Sequence, residues 1–374
     1  MSRVDRRTSL KIIGGVAAGL VVGGFLGYLV KPAEVVEKVV GTETVTKTVR
    51  ETVTSFVTTT IAPPKVSPLK GKTITLVVPY AAGGGYDLAT RALAEFLPKY
   101  IEGVIPIVLN KPGAGALLGP LEVWNAPPNG LTVCLANAYG NAYASLTKEY
   151  NMPFTIFDFT PLGRITWGAE VVVTGKDSPL KTWEDFKKLG REIKIGATGI
   201  GCESGIPAIM TFALLGVPFK MILGYAGSGE VMAAIIRGEA DVYTVDEDTA
   251  LKYVKGGEVR PLLTVYSKRI ETFPDVPALG EIVSKEQLRI IEVHDAIDEL
   301  GRLLIIHPRT PKEVYDAWQE VLRDLFKDPE FIKRQEEIRS FKPALGDETK
   351  SLMEKIKKLL PEFKELLLKV YPEL

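Results

Sequence analysis

Thr73-Ile74-Thr75-Leu76-Val77-Val78-Pro79-Tyr80-Ala81-Ala82-Gly83-Gly84-Gly85-Tyr86-Asp87 decides how the rest of the chain is read. The β-branched apolar run predicts a buried strand. Three consecutive glycines break it. A helix is expected from Asp87, with Ala89, Leu93, Phe96 and Leu97 on one face. The product is strand, glycine loop, helix. A loop without side chains brings backbone N–H groups close to an anion, and the helix dipole adds partial positive charge. The same glycines also serve a tight βα turn, and the motif alone does not choose between the two. No Gly-Lys-Ser/Thr follows, so this is not a Walker loop. No third glycine stands at the Rossmann offset.

Working outward, 374 residues suffice for two domains of roughly 100–200 residues each. Hydrophobic residues make up 46%, enough for substantial cores. Lys+Arg and Asp+Glu both number 46, giving a net charge of zero. That argues against a nucleic-acid binder, which needs clustered positive charge. Cys134 and Cys202 are the two cysteines, and His294 and His307 the two histidines. A disulfide framework is excluded and a His/Cys zinc cluster disfavoured. A single Cys134–Cys202 disulfide is conceivable on count, but two separate buried thiols are preferred.

Arg3, Arg6, Arg7 and Lys11 precede an apolar, glycine-containing run over residues 12–30. At about 1.5 Å per residue this run just spans a hydrocarbon core of roughly 30 Å. The cations lie before it, which predicts residue 1 inside the cell and the body outside. Asp5-Arg6-Arg7-Thr8-Ser9-Leu10-Lys11 resembles a twin-arginine export signal. No small-x-small cleavage site and no lipobox cysteine follow, so an uncleaved signal-anchor over 1–30 is favoured over a removed signal peptide. Residues 31–69 are rich in Val, Thr, Glu and Lys and end in Ala62-Pro63-Pro64-Lys65-Val66-Ser67-Pro68. They read as a stalk or linker, in part helical or weakly self-associating, with plain disorder as the alternative.

In the body, strands are expected at 105–109 and 131–136, with a helix between them carrying Leu117, Leu121 and Trp124. Three successive βα units predict a mostly parallel sheet. Ligands of such sheets sit beyond the strands' carboxyl ends. The loops 80–87, 110–115 and 137–140, with Tyr80 and Asn137, lie at that edge. The pattern restarts near Glu170, with strands at 171–173, 193–197, 221–225 and 241–245. Thr198-Gly199-Ile200-Gly201-Cys202-Glu203-Ser204-Gly205 is a second glycine loop before a helix. Two α/β lobes are therefore expected to face each other across a cleft. Lobe 1 comprises 70–166 and 265–374, lobe 2 residues 167–264. The stripes Val314, Trp318, Val321, Leu325 and Ile356, Leu360, Phe363, Leu367 are core faces of supporting helices.

The order of motifs resembles the substrate-binding proteins of tripartite tricarboxylate transporters, the Bug family. The matching pieces are Val77-Val78-Pro79-Tyr80 with Gly83-Gly84-Gly85-Tyr86-Asp87; Asn110-Lys111-Pro112-Gly113-Ala114-Gly115; and Ala126-Pro127-Pro128-Asn129-Gly130. They continue with Phe157-Asp158-Phe159-Thr160-Pro161-Leu162, Gly224-Tyr225-Ala226-Gly227-Ser228, Gly238-Glu239-Ala240-Asp241-Val242, Ser267-Lys268-Arg269 and Phe273-Pro274-Asp275-Val276-Pro277-Ala278-Leu279. Their collinearity over about 70–345 carries the resemblance. It implies a two-lobed, type II periplasmic-binding-protein-like clamshell whose crossing strands are the hinge. It implies a small carboxylate ligand, organic or amino acid, and transporter membrane subunits as partners. Carried over residue by residue, Gly84, Gly85, Tyr86 and Asp87 would touch the ligand. Thr198, Gly199, Gly201, Cys202, Glu203 and Ser204 would face them, and Tyr225 and Asp246 would join them. Ala226 stands where the family often has a basic residue, and Cys202-Glu203 replaces a small polar pair. The extra carboxylate argues against a citrate-like polyanion. Residues 284–302 look like an insertion.

Asp87, Glu203 and Asp246 each stand near a helix start, where a carboxylate also serves as a cap or dipole partner. No base pairs with Cys202, and no nucleophile elbow gathers Ser, His and Asp. The protein is therefore not expected to be an enzyme, although a glycine-loop enzyme on this scaffold and a ligand sensor for a membrane receptor are rival readings. His294 and His307 read as isolated packing or surface residues. No metal, cofactor or nucleic acid is expected.

Overall fold

The computed structural model describes residues 67–146 and 151–373, together with the backbone of 34–40 and 43–49. The chain divides into two units, Met1–Lys65 and Val66–Leu374. In the first, β1 (Glu34–Val40) and β2 (Glu43–Val49) form an antiparallel ladder with Glu34 opposite Val49. This part of the expected stalk is therefore strand rather than helix. Its alternating Val and Thr are β-branched and lose less rotamer freedom in a strand. The expected export signal and membrane helix lie outside the described residues. Among those described, no helix is long and apolar enough to cross a membrane.

The larger unit begins with β3 (Thr73–Val78), α1 (Gly85–Tyr100), β4 (Ile105–Asn110), α2 (Leu118–Asn125), β5 (Thr132–Asn137), α3 (Ala138–Ala144) and β6 (Thr160–Thr166). Next come β7 (Glu170–Gly175), β8 (Ile193–Gly196), α4 (Ile206–Leu214), β9 (Phe219–Ile222), α5 (Ser228–Ile236), β10 (Val242–Asp246), α6 (Glu247–Lys255) and β11 (Val259–Val265). The chain ends with α7 (Leu279–Ile282), α8 (Lys285–Asp298), β12 (Arg302–Ile306), α9 (Lys312–Leu325), α10 (Pro329–Glu336), β13 (Ala344–Leu345) and α11 (Gly346–Val370).

These strands build two sheets of an α/β fold. One has the order β13-β6-β12-β5-β3-β4 and the other β11-β7-β10-β8-β9. In the first, β3 pairs in parallel with β4 and β5, while β12 runs antiparallel between β5 and β6. In the second, β8 is parallel to β9 and β10, and β7 is antiparallel to β10 and β11. The chain passes from one sheet to the other between β6 and β7 and returns between β11 and β12.

The opening unit forms for the reasons its sequence gives. Leu76, Val77 and Val78 are at most 1% exposed, because helices cover both faces of β3. Ala89, Leu93 and Leu97 are the buried stripe of α1. Truncating Leu93 to Ala there would cost about 2–5 kcal/mol. Two boundaries differ from expectation. The helix starts at Gly85 rather than Asp87, because the Asp87 carboxylate reaches back and holds the Gly83 N–H. Strand β9 ends at Ile222, two residues before Gly224, whose φ of 98° is incompatible with an extended strand. Residues 284–302 are built into the core: Ile290, Ile291, Val293 and Ile297 of α8 are at most 2% exposed.

Candidate ligand-binding site

Gly83 turns the chain out of β3 at φ 86°, a left-handed conformation that an L-residue adopts only with strain. Asp87 then locks the loop. Its Oδ2 accepts from Gly83 N at 2.8 Å and from Arg91 Nε at 2.9 Å, and its Oδ1 accepts from Asn110 Nδ2 at 3.0 Å. The same Asn110 amide donates to the Tyr80 carbonyl at 3.0 Å. Burial by itself raises the Asp87 carboxyl, but Arg91, Gly83 and Asn110 outweigh it and hold the group below its usual range. Asp87 therefore braces the loop from within instead of lining a cavity.

Gly84, Gly85 and Tyr86 do line one, a cavity of about 400 Å³. Residues 227–230, Asp248, Lys252 and Arg302 complete much of its wall. The first turns of two helices from different sheets meet here: α1 after Gly84 and α5 after Gly227. Neither has a side-chain cap, so their leading N–H groups have no acceptor inside the helix. The largest feature of the wall is Arg302, the first residue of β12. It is 3% exposed. Its guanidinium carbon stands 3.7 Å from the centre of the Tyr86 ring. Nη2 lies 3.6 Å from Asp246 Oδ2, too far for a hydrogen bond, and Nε and Nη1 have no hydrogen-bond partner. Gly85 makes room for this group, since a Cβ there would sit 3.1 Å from Arg302 Nη1.

Behind the tyrosines is a buried polar wall. Asn137 caps α3 through Gly140 N at 3.0 Å and donates to the Tyr80 hydroxyl at 2.8 Å. The hydroxyls of Tyr86 and Tyr139 donate to Glu203 Oε2 at 3.3 and 2.9 Å. Burial raises the Glu203 carboxyl and Asp246 adds to the rise, while Arg302 and the Tyr139 hydroxyl oppose it. Cys202 Sγ donates to the Gly199 carbonyl at 2.8 Å and contacts Ser204 Oγ. Burial pushes its thiol up, the wrong direction for a nucleophile. Cys134 and Cys202 are both free and buried.

The second glycine loop thus does not face the first across an open cavity, as the sequence suggests. The Tyr80 and Tyr86 rings, 4.6 Å apart, fill the space between them. Gly140 lets the loop press inward, for a Cβ there would meet Glu203 N at 2.8 Å. Segment 227–230 takes the facing position instead. Thr198 and Tyr225 line a separate hollow of about 410 Å³ with 112–114 and 223–226. A further hollow of about 420 Å³ between 157–161 and 310–357 is away from these loops and has no buried polar side chain in its lining. Asp246 caps α6 through Thr249 N at 2.8 Å and pairs with Arg339 Nη2 at 2.8 Å. Burial raises its carboxyl, but Arg339 and Arg302 prevail and hold it below its usual range.

Sequence reasoning missed Arg302 and Arg339. The available signal for Arg302 was a lone charge opening the apolar run Leu303-Leu304-Ile305-Ile306. Sequence reasoning also took His294 as isolated. It is fully buried, with Nε2 3.3 Å from a Glu170 oxygen and 3.2 Å from an Asp298 oxygen.

Residues 90–359 match the family described as Tripartite tricarboxylate transporter family receptor. The chain belongs to this family. The match covers nearly three quarters of the receptor and begins just after its glycine loop. A UPF0065 protein of Agrobacterium vitis is 29% identical over 266 residues, 70% of this chain and 73% of that protein. The periplasmic binding protein BugD superposes with a TM-score of 0.65 at 27% identity, covering 80% of this chain and 97% of BugD. MatC from Rhodopseudomonas palustris, solved with bound malate, superposes with a TM-score of 0.66 at 19% identity, over 79% of this chain and 99% of MatC.

Proposed function

We propose that this receptor binds a small carboxylate in the 400 Å³ cavity, outside the cytoplasm, and delivers it to the membrane subunits of a tripartite transporter. The observation that carries the reading is the Arg302 guanidinium, buried at the cavity wall with Nε and Nη1 unpartnered. A buried donor pair left empty is costly, and a carboxylate satisfies it with charge-assisted hydrogen bonds. The uncapped N-termini of α1 and α5 offer further donors from both sheets. Gly84, Gly85 and Tyr86 contact the ligand in this reading. Tyr80, Tyr139, Asn137, Glu203 and the Cys202–Ser204 turn hold the wall. Thr198 and Tyr225 line the neighbouring hollow and stay outside the first contacts, as do Gly199 and Gly201 of the second glycine loop, and Asp246 sets Arg302 in place.

The far side offers Glu230, Asp248 and Lys252. That mixed set suits a hydroxyl or amine better than a second free carboxylate. The earlier argument against polyacids moves accordingly from Glu203, which is behind the tyrosines, to these residues. Malate in MatC and the periplasmic placement of BugD support both the ligand class and the compartment. The apolar run at 12–30 serves as the membrane tether, and no catalytic step is assigned.

A melting-temperature screen tests this, using malate and other hydroxy acids, amino acids, simple mono- and dicarboxylates, and the matching uncharged amides. A true ligand stabilises by about 2.7 kcal/mol at a hundred times its Kd, and the amides leave Tm unchanged. Arg302→Met is expected to weaken the best acid by roughly 10–150-fold, the value of about 1.5–3 kcal/mol for hydrogen bonds to a charged group. No shift with any acid, or equal binding by acid and amide, rules the reading out.

A further inference from the structure

A second buried polar cluster lies where the chain passes from the first sheet to the second. Glu170 opens β7, immediately after that passage. His294 and Asp298 stand one turn apart on α8. All three are at most 1% exposed. Their donor atoms lie within 4.8 Å of one another. Both Glu170 oxygens, His294 Nε2 and Asp298 Oδ2 are buried without a hydrogen-bond partner. Four buried polar atoms without a well-aligned hydrogen bond, whose nearest polar neighbours are one another, are far from the norm for a folded interior.

The spacing has a specific meaning. His294 Nε2 is 3.3 Å from Glu170 Oε2 and 3.2 Å from Asp298 Oδ2. Donors bound at about 2.0–2.1 Å around a tetrahedral ion lie roughly 3.3–3.4 Å apart. The imidazole is also oriented from behind. The Tyr143 hydroxyl contacts His294 Nδ1 and donates to Asp298 Oδ1 at 3.3 Å. In the tautomer with Nδ1 protonated, the hydroxyl accepts from Nδ1–H while donating to Asp298, and the Nε2 lone pair faces the two carboxylates. A second partner fixing the ring of a ligating histidine is the usual support of a metal site. A nitrogen donor with two carboxylates disfavours Ca²⁺ and Mg²⁺ and suits a first-row ion such as Zn²⁺.

We propose that Glu170, His294 and Asp298 bind one divalent transition-metal ion, most favourably Zn²⁺, at the crossing between the two sheets. The ion would tie the first residue of β7 to α8, with α3 held through Tyr143. Its role is structural. The site is separate from the cavity at Arg302 and is independent of the carboxylate reading.

The test is metal analysis of the full-length protein, purified without chelator and again after chelation during refolding. The expected result is close to one equivalent of Zn²⁺, a Tm several degrees lower after chelation, and recovery on adding Zn²⁺. Replacement by Co²⁺ should give the visible bands of a tetrahedral ion with nitrogen and oxygen donors. Glu170→Gln and His294→Gln should lose the equivalent. Tyr143→Phe keeps all three donors and should bind 10–100-fold more weakly, with its far-ultraviolet circular dichroism unchanged. The proposal is overturned if the wild type carries no stoichiometric metal and melts identically with and without chelator. Equal metal content in Glu170→Gln and the wild type overturns it as well, because the ion would then lie elsewhere.

Discussion

Gly85 shows how much a single missing methyl decides at this site. Its conformation is not left-handed, so alanine there carries no backbone penalty and in a helix gains up to about 1 kcal/mol. The added Cβ would nevertheless press on Arg302 Nη1 from 3.1 Å. Gly85→Ala is therefore expected to melt at or slightly above the wild-type temperature while binding the ligand about tenfold more weakly. Calorimetric titration beside a thermal melt checks both halves, and a variant that loses both stability and binding contradicts the account. The strand–glycine–helix arrangement was legible from sequence because three glycines interrupt an apolar strand ahead of an apolar helix, but the motif alone left its use, turn or anion site, open. Arg302 was not, because its position depends on pairing across the sheet. The register sets it opposite Asn137 on one side and Thr166 on the other, and no local pattern encodes that.

At the scale of elements, the helix starts carry the chemistry. Helices α1 and α5 begin without side-chain caps and face the cavity, whereas α6 begins with Asp246, which caps it and receives Arg339. Losing a cap costs about 1 kcal/mol. Arg339 keeps its Nε bond to Asp248 at 3.0 Å, so losing Asp246 removes one charged hydrogen bond, about 1.5–3 kcal/mol more. Asp246→Ala should thus destabilise by roughly 2.5–4 kcal/mol, and Arg339→Met in the same chain should recover part of the second share. A double-mutant cycle by denaturant unfolding measures the coupling, and additive losses would show that the pair is not energetically linked. Asp246 was readable as a cap from its place at a strand end before Glu247-Asp248-Thr249. Its second duty was not, because Arg339 arrives from beyond α10. The mutual placement of the two glycine loops also escaped the sequence: two tyrosines of ordinary spacing turn out to wall one loop off from the other.

For the whole molecule, the body from Val66 onward is a unit of its own. A chain beginning at Val66 should melt within about 2 °C of the full protein, roughly the shift that a change of about 1 kcal/mol produces at this size. It should also show the same ligand-induced shift. A broad or much lower transition would mean that residues 1–65 contribute to the body's stability. The order of motifs made the two-sheet architecture legible, because strand–loop–helix units repeat on either side of Glu170. The return of the chain through β12 into the middle of the first sheet was harder to read. Its approach, 284–302, looks like an insertion when charge is counted and like core when its buried isoleucines are seen.

The wall of tyrosines also implies a proton balance. Glu203 is held above its ordinary value of 4.5, and Arg302 is the charge that opposes the rise most. A ligand carboxylate laid on Arg302 spends that opposition, so the Glu203 pKa rises further in the complex. Binding then takes up a fraction of a proton, and affinity strengthens as pH falls through the interval between the free and bound values, both above 4.5. Titrations in two buffers of different ionisation enthalpy should differ in heat by the protons taken up, and Glu203→Gln should abolish the difference while still binding. A receptor built this way would collect its solute more tightly on the acidic side of an energised membrane, and would release both solute and proton together where that acidity ends.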